Sequence, residues 1–192
     1  VTYEQLVAAD PDSRELIKPL IVGDDVRRHE IEDRSRHLIV VPDGWTREQC
    51  GPIDETAAWR WFSSTYPALS HHLAPFAERA RKRWDKGEFW WELRPCDYYQ
   101  TFEQPKIVYP DIAITPRFTL DKDHFYVDCT VFAIPRLDFY LLALLNSVLL
   151  FRVIQQYAAV LGDAERRGRM RLKRVYVGKL PIRRIAFITP PD

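Results

Sequence analysis

Apolar residues along this chain come in short runs whose period keeps changing, and Pro, Gly or paired acids break nearly all of them. Residues 2–9 have helical spacing and meet a stop at Asp10-Pro11. Beyond a mixed stretch interrupted by Pro19, Gly23-Asp24-Asp25 signals a turn. Residues 26–31 and 37–41 then predict a strand pair, joined by the polar Glu32-Asp33-Arg34-Ser35. Asp54 is an N-cap for a helix through Ala57, Trp61 and Phe62. Pro67 opens a second helix and Pro75 a third, running to Trp84.

The second half is less regular. Residues 89–99 (FWWELRPCDYY) form an aromatic cluster with no clean period. Residues 106–109 and 112–115 predict short strands broken by Pro110 and Pro116, and residues 125–134 alternate as a further strand. Residues 139–150 (FYLLALLNSVLL) are apolar on nearly every face, which predicts a long buried helix over 137–160, bent near Asn146-Ser147. Residues 169–172 are strand-like and 173–178 predict a helical turn. Short strands mixed with helices, without βαβ regularity, predict an α+β fold.

A length of 192 residues suits one domain with a proper core. The net charge of +1 does not announce a polyanion binder, but the charge is unevenly spread. Acids outnumber bases over residues 1–64, whereas Arg and Lys dominate 163–184. Cys50, Cys96 and Cys129 are odd in number, far apart and off zinc-ligand spacing, which predicts reduced thiols and a cytoplasmic setting. The longest apolar run, between Asp138 and Arg152, is shorter than the roughly 20 residues a spanning helix needs, so no membrane partner is expected. A start at Val1 and the lack of a catalytic motif read as a piece of a longer protein.

Catalytic signatures are missing. Neither dinucleotide-binding nor P-loop glycine patterns occur, nor H-E-x-x-H, nor a serine elbow. His71 and His72 are adjacent and would point about 100° apart on a helix, which prevents joint chelation. Tyr109-Pro110-Asp111 resembles the opening of a metal-dependent nuclease motif, but no later acid has Lys two positions on. Asp111 is therefore read as a hydrogen-bond anchor, with a nuclease kept as an alternative. No catalytic, cofactor or metal residue is assigned.

Three basic clusters could meet nucleic acid. The ribbon Arg166, Arg167, Arg169, Arg171, Lys173 and Arg174 suits phosphates. As a strand it would turn Arg169, Arg171 and Lys173 outward and Met170 and Leu172 to the core. Arg27-Arg28-His29 either reads a guanine edge or pairs with Glu30, Glu32 or Asp33. Arg79, Lys82, Arg83 and Lys86 lie at helical spacing, which also fits a solvated face. Trp90, Trp91, Tyr98, Tyr99 and Phe102 are core or a stacking group, flanked by Arg94 and Lys106.

In order along residues 14–185, these segments resemble the TaqI-like C-terminal specificity domain. Ile17-Lys18-Pro19-Leu20 with Gly23-Asp24-Asp25-Val26-Arg27-Arg28 resembles its G-x-D-I-x-R opening. Tyr66-Pro67-Ala68-Leu69, Leu73 and Pro75-Phe76 resemble its helical segment, and Trp90-Trp91-Glu92-Leu93-Arg94 its W-x-L-R signature. Residues 105–112 (PKIVYPDI) resemble its P-K-I-x-Y-P-x-I strand, and 141–147 (LLALLNS) its L-L-x-L-L-N-S helix. Lys179-Leu180-Pro181-Ile182 resembles the closing L-P-I, shared with type I specificity subunits. The chain departs at His29, where relatives often carry an aromatic, and in the excess of Arg over residues 166–171.

The resemblance implies a single target recognition domain over residues 1–192, with its core at about 14–185, related to the type I specificity domains. It implies sequence-specific binding of double-stranded DNA for an adenine-N6 methyltransferase or fused restriction-modification enzyme, in phage defence. The methyltransferase catalytic domain, N-terminal in the same chain, would hold S-adenosylmethionine; its acidic-Pro-Pro-aromatic motif is absent here. Arg169, Arg171, Lys173 and Arg174 are the expected phosphate binders, and Arg27, Arg28, Arg94 and Lys106 the expected base readers. The rivals are a protein-interaction module exposing an apolar stripe of the 137–160 helix, a nuclease, and an RNA-binding domain.

Overall fold

The computed structural model describes residues 2–162 and 168–183. In chain order its elements begin with α1 (Tyr3–Ala9), β1 (Ile17–Ile21), β2 (His37–Ile39), α2 (Trp45–Cys50), α3 (Glu55–Thr65) and α4 (Pro67–Leu73). α5 (Ala77–Arg81), α6 (Tyr99–Phe102), β3 (Lys106–Pro110), β4 (Ile112–Ala113), β5 (Thr119–Asp121), β6 (Tyr126–Val127) and β7 (Val131–Ile134) follow. The last are α7 (Phe139–Leu145), α8 (Val148–Gln155), β8 (Val160–Leu161), β9 (Arg169–Arg171) and α9 (Arg174–Val177). This is the expected α+β mixture. It forms two compact units, one of Val1–Leu20 with Ser35–Glu103, the other of Ile21–Arg34 with Gln104–Asp192.

The first unit is mainly helical. β2 pairs antiparallel with β1, Ile17 opposite Ile39 and Pro19 opposite His37. Asp54 caps α3 by accepting from the Ala57 N–H at 2.9 Å. α3 ends at Tyr66 because Pro67 cannot continue it, and Pro67 then opens α4. Ala58 and Phe62, one turn apart, enter a core with Leu16, Val41, Leu69, Phe89, Trp90 and Trp91.

A fully buried carboxylate fixes this core to its backbone. Glu92 Oε1 accepts from the Thr46 N–H (3.0 Å), and Oε2 accepts from the N–H groups of Phe89 (3.1 Å) and Gly44 (3.3 Å). It thus receives unpaired donors at the start of α2, whose cap, Gly44, is left-handed and offers no side chain. The Trp91 indole N–H donates to Thr46 Oγ1 at 3.0 Å. Gly87 has to be glycine, since a Cβ would stand 2.6 Å from the Leu93 carbonyl and 2.7 Å from Glu92 Cβ. The W-W-E-L-R signature is a latch within the core.

In the second unit β3 lies between β5 and β7, antiparallel to both, and is buried at every residue. A second sheet places β9 between β4 and β8. Ile107, Phe118, Leu142, Leu145, Ile154, Met170 and Leu172 belong to the common core.

Three expectations are corrected. The long helix is two short ones, because Asn146 ends α7 and the Ser147 hydroxyl caps α8 by accepting from the Leu150 N–H (3.2 Å). Asn146, 1% exposed, accepts from the Phe118 N–H (3.1 Å) and donates to its carbonyl (2.7 Å), serving as a strand neighbour. Nor is the pair buried all round, since Phe139, Val148 and Leu149 are exposed. Residues 26–31 pair with themselves rather than with 37–41: His29, at φ 69°, reverses the chain and Val26 bridges Ile31. Residues 125–134 make two strands, because Asp128 turns the chain by accepting from the Thr130 N–H (2.9 Å).

Glu92→Gln leaves at least one buried N–H of this latch without an acceptor. The urea midpoint should fall by an amount equivalent to roughly 2 kcal/mol or more; an unmoved midpoint would show that the latch contributes nothing.

Candidate nucleic-acid interface

The expected base readers near residue 28 sit on a braced loop of the second unit. Asp25 is fully buried and accepts from the Val22 N–H at 2.8 Å, closing the Gly23–Asp25 turn. The Gly23 N–H donates to Thr130 Oγ1 (2.7 Å), tying that turn to the one before β7. Arg27 grips Glu32 with two nitrogens, at 2.9 and 3.0 Å, and the Asp24 carbonyl with a third at 2.6 Å. Arg34 donates to the same Glu32 carboxylate at 3.0 Å and lies 3.4 Å from Asp25. The hydrogen bonds from Arg34 and then Arg27 hold the Glu32 carboxyl below its usual pKa. Arg27 is thus a brace, whereas Arg28, His29 and Glu30 stand exposed at the tip. Arg28 has no ion pair among the described residues.

The ribbon alternates as its spacing predicts. Met170 and Leu172 are buried at 3% and 0%, while Arg169, Lys173 and Arg174 are exposed. β9 is held on both sides, with Met170 opposite Ala113 and Val160. The Leu172 N–H donates to the Asp111 carbonyl (2.6 Å), and Arg171 Nη2 donates to the Asp111 carboxylate (2.9 Å). Asp111 is therefore the anchor its position predicted. Arg171 is half-buried and already neutralised, so it positions the strand instead of offering a free charge. Arg166 and Arg167 lie outside the described residues.

Two concavities of this unit carry ribbon cations. Arg169 lines a cleft of about 480 Å³ whose walls include Gly23, Asp24, Asp111, Arg117 and Thr130. The fold thereby brings the turn that launches the Arg28 loop to the side of a residue far along the chain. Arg117 was not singled out in the sequence; a lone Arg after a proline gives no pattern to notice. Arg174 lines a wider groove of about 870 Å³ with Tyr109, Arg136, Asp138 and Arg183. Burial pushes the Tyr109 hydroxyl up to about 12, against the opposing pull of Arg174, so it stays protonated.

The remaining candidates separate clearly. Lys106 is fully buried and bonds Asp121, its direct partner across β3 and β5. Asp121 also accepts from the N–H groups of Asp123 (2.9 Å) and Phe125 (3.0 Å). Lys106 cannot reach a base edge from there and leaves the base-reading set. In the first unit Arg94 is exposed, its guanidinium donating to the Tyr98 hydroxyl at 3.4 Å and its carbonyl accepting from the Tyr99 hydroxyl at 3.1 Å. Trp90 and Trp91 are core, 1% and 5% exposed. Among the described residues no group of three His, Cys, Asp or Glu is placed to hold a metal ion, and no helix is long and apolar enough to cross a membrane.

A braced cationic loop, together with a cationic ribbon that runs from β9 into the start of α9, has the make-up of a polyanion-recognition module. Residues 18–182 match the family described as the TaqI-like C-terminal specificity domain, and the chain belongs to that family. No curated protein matches the chain. Membership makes this a specificity domain, a DNA target recognition element of restriction-modification systems that works with a methyltransferase-type partner.

Lys106→Met should unfold the chain more readily by ~3–5 kcal/mol, because Asp121 is left buried without its cation. Chemical denaturation measures it; a stable variant with altered base preference would return Lys106 to the reading surface.

Proposed function

We propose that this chain is one target recognition module that grips duplex DNA and selects the site for an adenine-N6 methyltransferase. The catalytic domain is N-terminal in the same polypeptide, binds S-adenosylmethionine and carries out methyl transfer in the cytoplasm as part of phage defence. The module's own part is to fix the register of the duplex while the target adenine leaves the stack. Arg169, Lys173 and Arg174 take phosphates, and Arg28 and Arg94 read base edges. Arg27 and Arg171 act through others, the first by bracing the Arg28 loop and the second by fixing β9 to Asp111. The observation that carries this reading is the ribbon itself: Arg169 on β9 and Lys173 and Arg174 at the start of α9 are exposed without carboxylate partners among the described residues, with Met170 and Leu172 buried between them.

A second reading has an observation of its own. Leu137, Phe139, Val148 and Leu149 are exposed at 56%, 62%, 66% and 73%, an apolar stripe suited to a methyltransferase-type protein partner. Light scattering tests it, since self-association of the chain through the uncovered stripe, lost in Val148→Glu with Leu149→Glu, is the outcome that favours it.

Lys173→Ala with Arg174→Ala should weaken binding to every duplex alike and lower the salt slope by about one per lost phosphate contact. Arg28→Ala should instead relax preference at one base position by ~1–3 kcal/mol. Gel shifts over a salt series and a randomised-site selection measure the two; an unchanged slope, or equal loss on all sequences for Arg28→Ala, contradicts these roles.

A further inference from the structure

The basic cluster near residue 80 takes no part in the interface above, yet along the chain it brackets the most exposed large aromatic side chain among the described residues. Trp84 is 92% exposed, while Trp90 and Trp91 are buried and Trp45, Trp59 and Trp61 half-buried. Its turn is nevertheless fixed on both sides. The Arg83 N–H donates to the Ala80 carbonyl at 3.2 Å, and Arg83 Nη2 donates to the carbonyls of Trp90 (3.0 Å) and Glu92 (2.8 Å). Arg81 is held by Glu55 at 2.9 Å and lies 5.4 Å from the Trp90 ring centre. Beyond Trp84, Gly87 is locked against Leu93 and Glu92. The indole therefore projects from a rigid turn and not from a loose loop.

Its surroundings decide the kind of partner. Residues 78–86 hold five cations, Arg79, Arg81, Lys82, Arg83 and Lys86, against the carboxylates of Glu78 and Asp85. Arg79 and Lys82 are exposed and have no ion pair among the described residues. An exposed aromatic face close in sequence to exposed, unpaired positive charge matches a stacked base with its phosphates. A lone indole is too narrow for a membrane-lying face, which needs an apolar stripe.

We propose that Trp84, rimmed by Arg79 and Lys82, is a second nucleic-acid contact in which the indole stacks on an unpaired or partly unstacked base of bound DNA. The site rests on the DNA-recognition reading above and adds to it. Base–aromatic stacking tolerates any sequence, so Trp84 adds affinity for opened DNA without choosing the target. Arg79 and Lys82 supply the salt-dependent share.

The test uses the whole chain with a fluorescent duplex and the same duplex carrying one unpaired base. W84A should bind the second duplex ~10-fold more weakly, with its salt slope unchanged. W84F should keep most of the affinity, and K82Q should lower the slope by about one. In the wild type, saturating DNA should protect a large fraction of tryptophan fluorescence from acrylamide, a fraction missing in W84F. Thermal midpoints of the variants should equal that of the wild type, since the ring touches little. Unchanged affinity in W84A, or quenching that DNA leaves unaltered, overturns the proposal while leaving the ribbon and Arg28 in place. A wild-type chain that binds neither duplex at low salt overturns this proposal together with the recognition reading.

Discussion

Backbone groups that short elements leave unpaired have to be satisfied by side chains, and this constraint organises the molecule. Many strands here are two to four residues long and α2 spans six, so their hydrogen-bond ladders close few of their own donors. Glu92 receives three backbone N–H groups around the start of α2. Asp121 receives two beyond β5, and Asn146 pairs both polar groups of Phe118. Asp25 closes the turn before the Arg28 loop. Several of these residues fall in the stretches that resemble the family's motifs. Those motifs are better understood as completions of the backbone than as contacts with a ligand.

The same demand sorts the cations. Lys106 offsets the charge of a buried carboxylate that is already committed to backbone donors. Arg83 fills carbonyls behind the aromatic latch, Arg27 and Arg34 surround Glu32, and Arg171 meets Asp111. Each is charged because the interior or the loop needs it. What remains for an external polyanion is a smaller set whose charges face water, and in the second unit it includes Arg28, Arg169, Lys173 and Arg174. A near-neutral chain can therefore present a strongly positive surface locally, because its carboxylates are spent on internal partners.

Features set by neighbours in sequence were legible from the residues. The Asp54 cap, the Pro67 start and the alternation of Met170 and Leu172 about Arg171 follow from local rules, and the structure has them. What was hidden depends on partners far apart. Glu92 meets Thr46, and Asn146 meets Phe118, and no spacing rule joins such pairs. Lys106 looked like a flanking cation until the β3–β5 register set Asp121 opposite it. The reversal at His29 turned an expected strand into a loop, since a left-handed residue that is not glycine gives a weak signal. Helix 137–160 was overextended for a related reason: apolar character shows burial, whereas the break needs a capping Ser and a committed Asn.

The loop at Arg28 is supported chiefly from its stem. The stem is tied by Arg27, Glu32 and Arg34, and among the described residues the apex is linked onward by the His29 N–H, which donates to the Phe118 carbonyl. Side chains at 28, 29 and 30 answer only to solvent and to whatever docks there. Inheritance can preserve the stem while point changes at the apex accumulate freely. On the proposed role of Arg28, that division lets recognition drift without the scaffold being rebuilt.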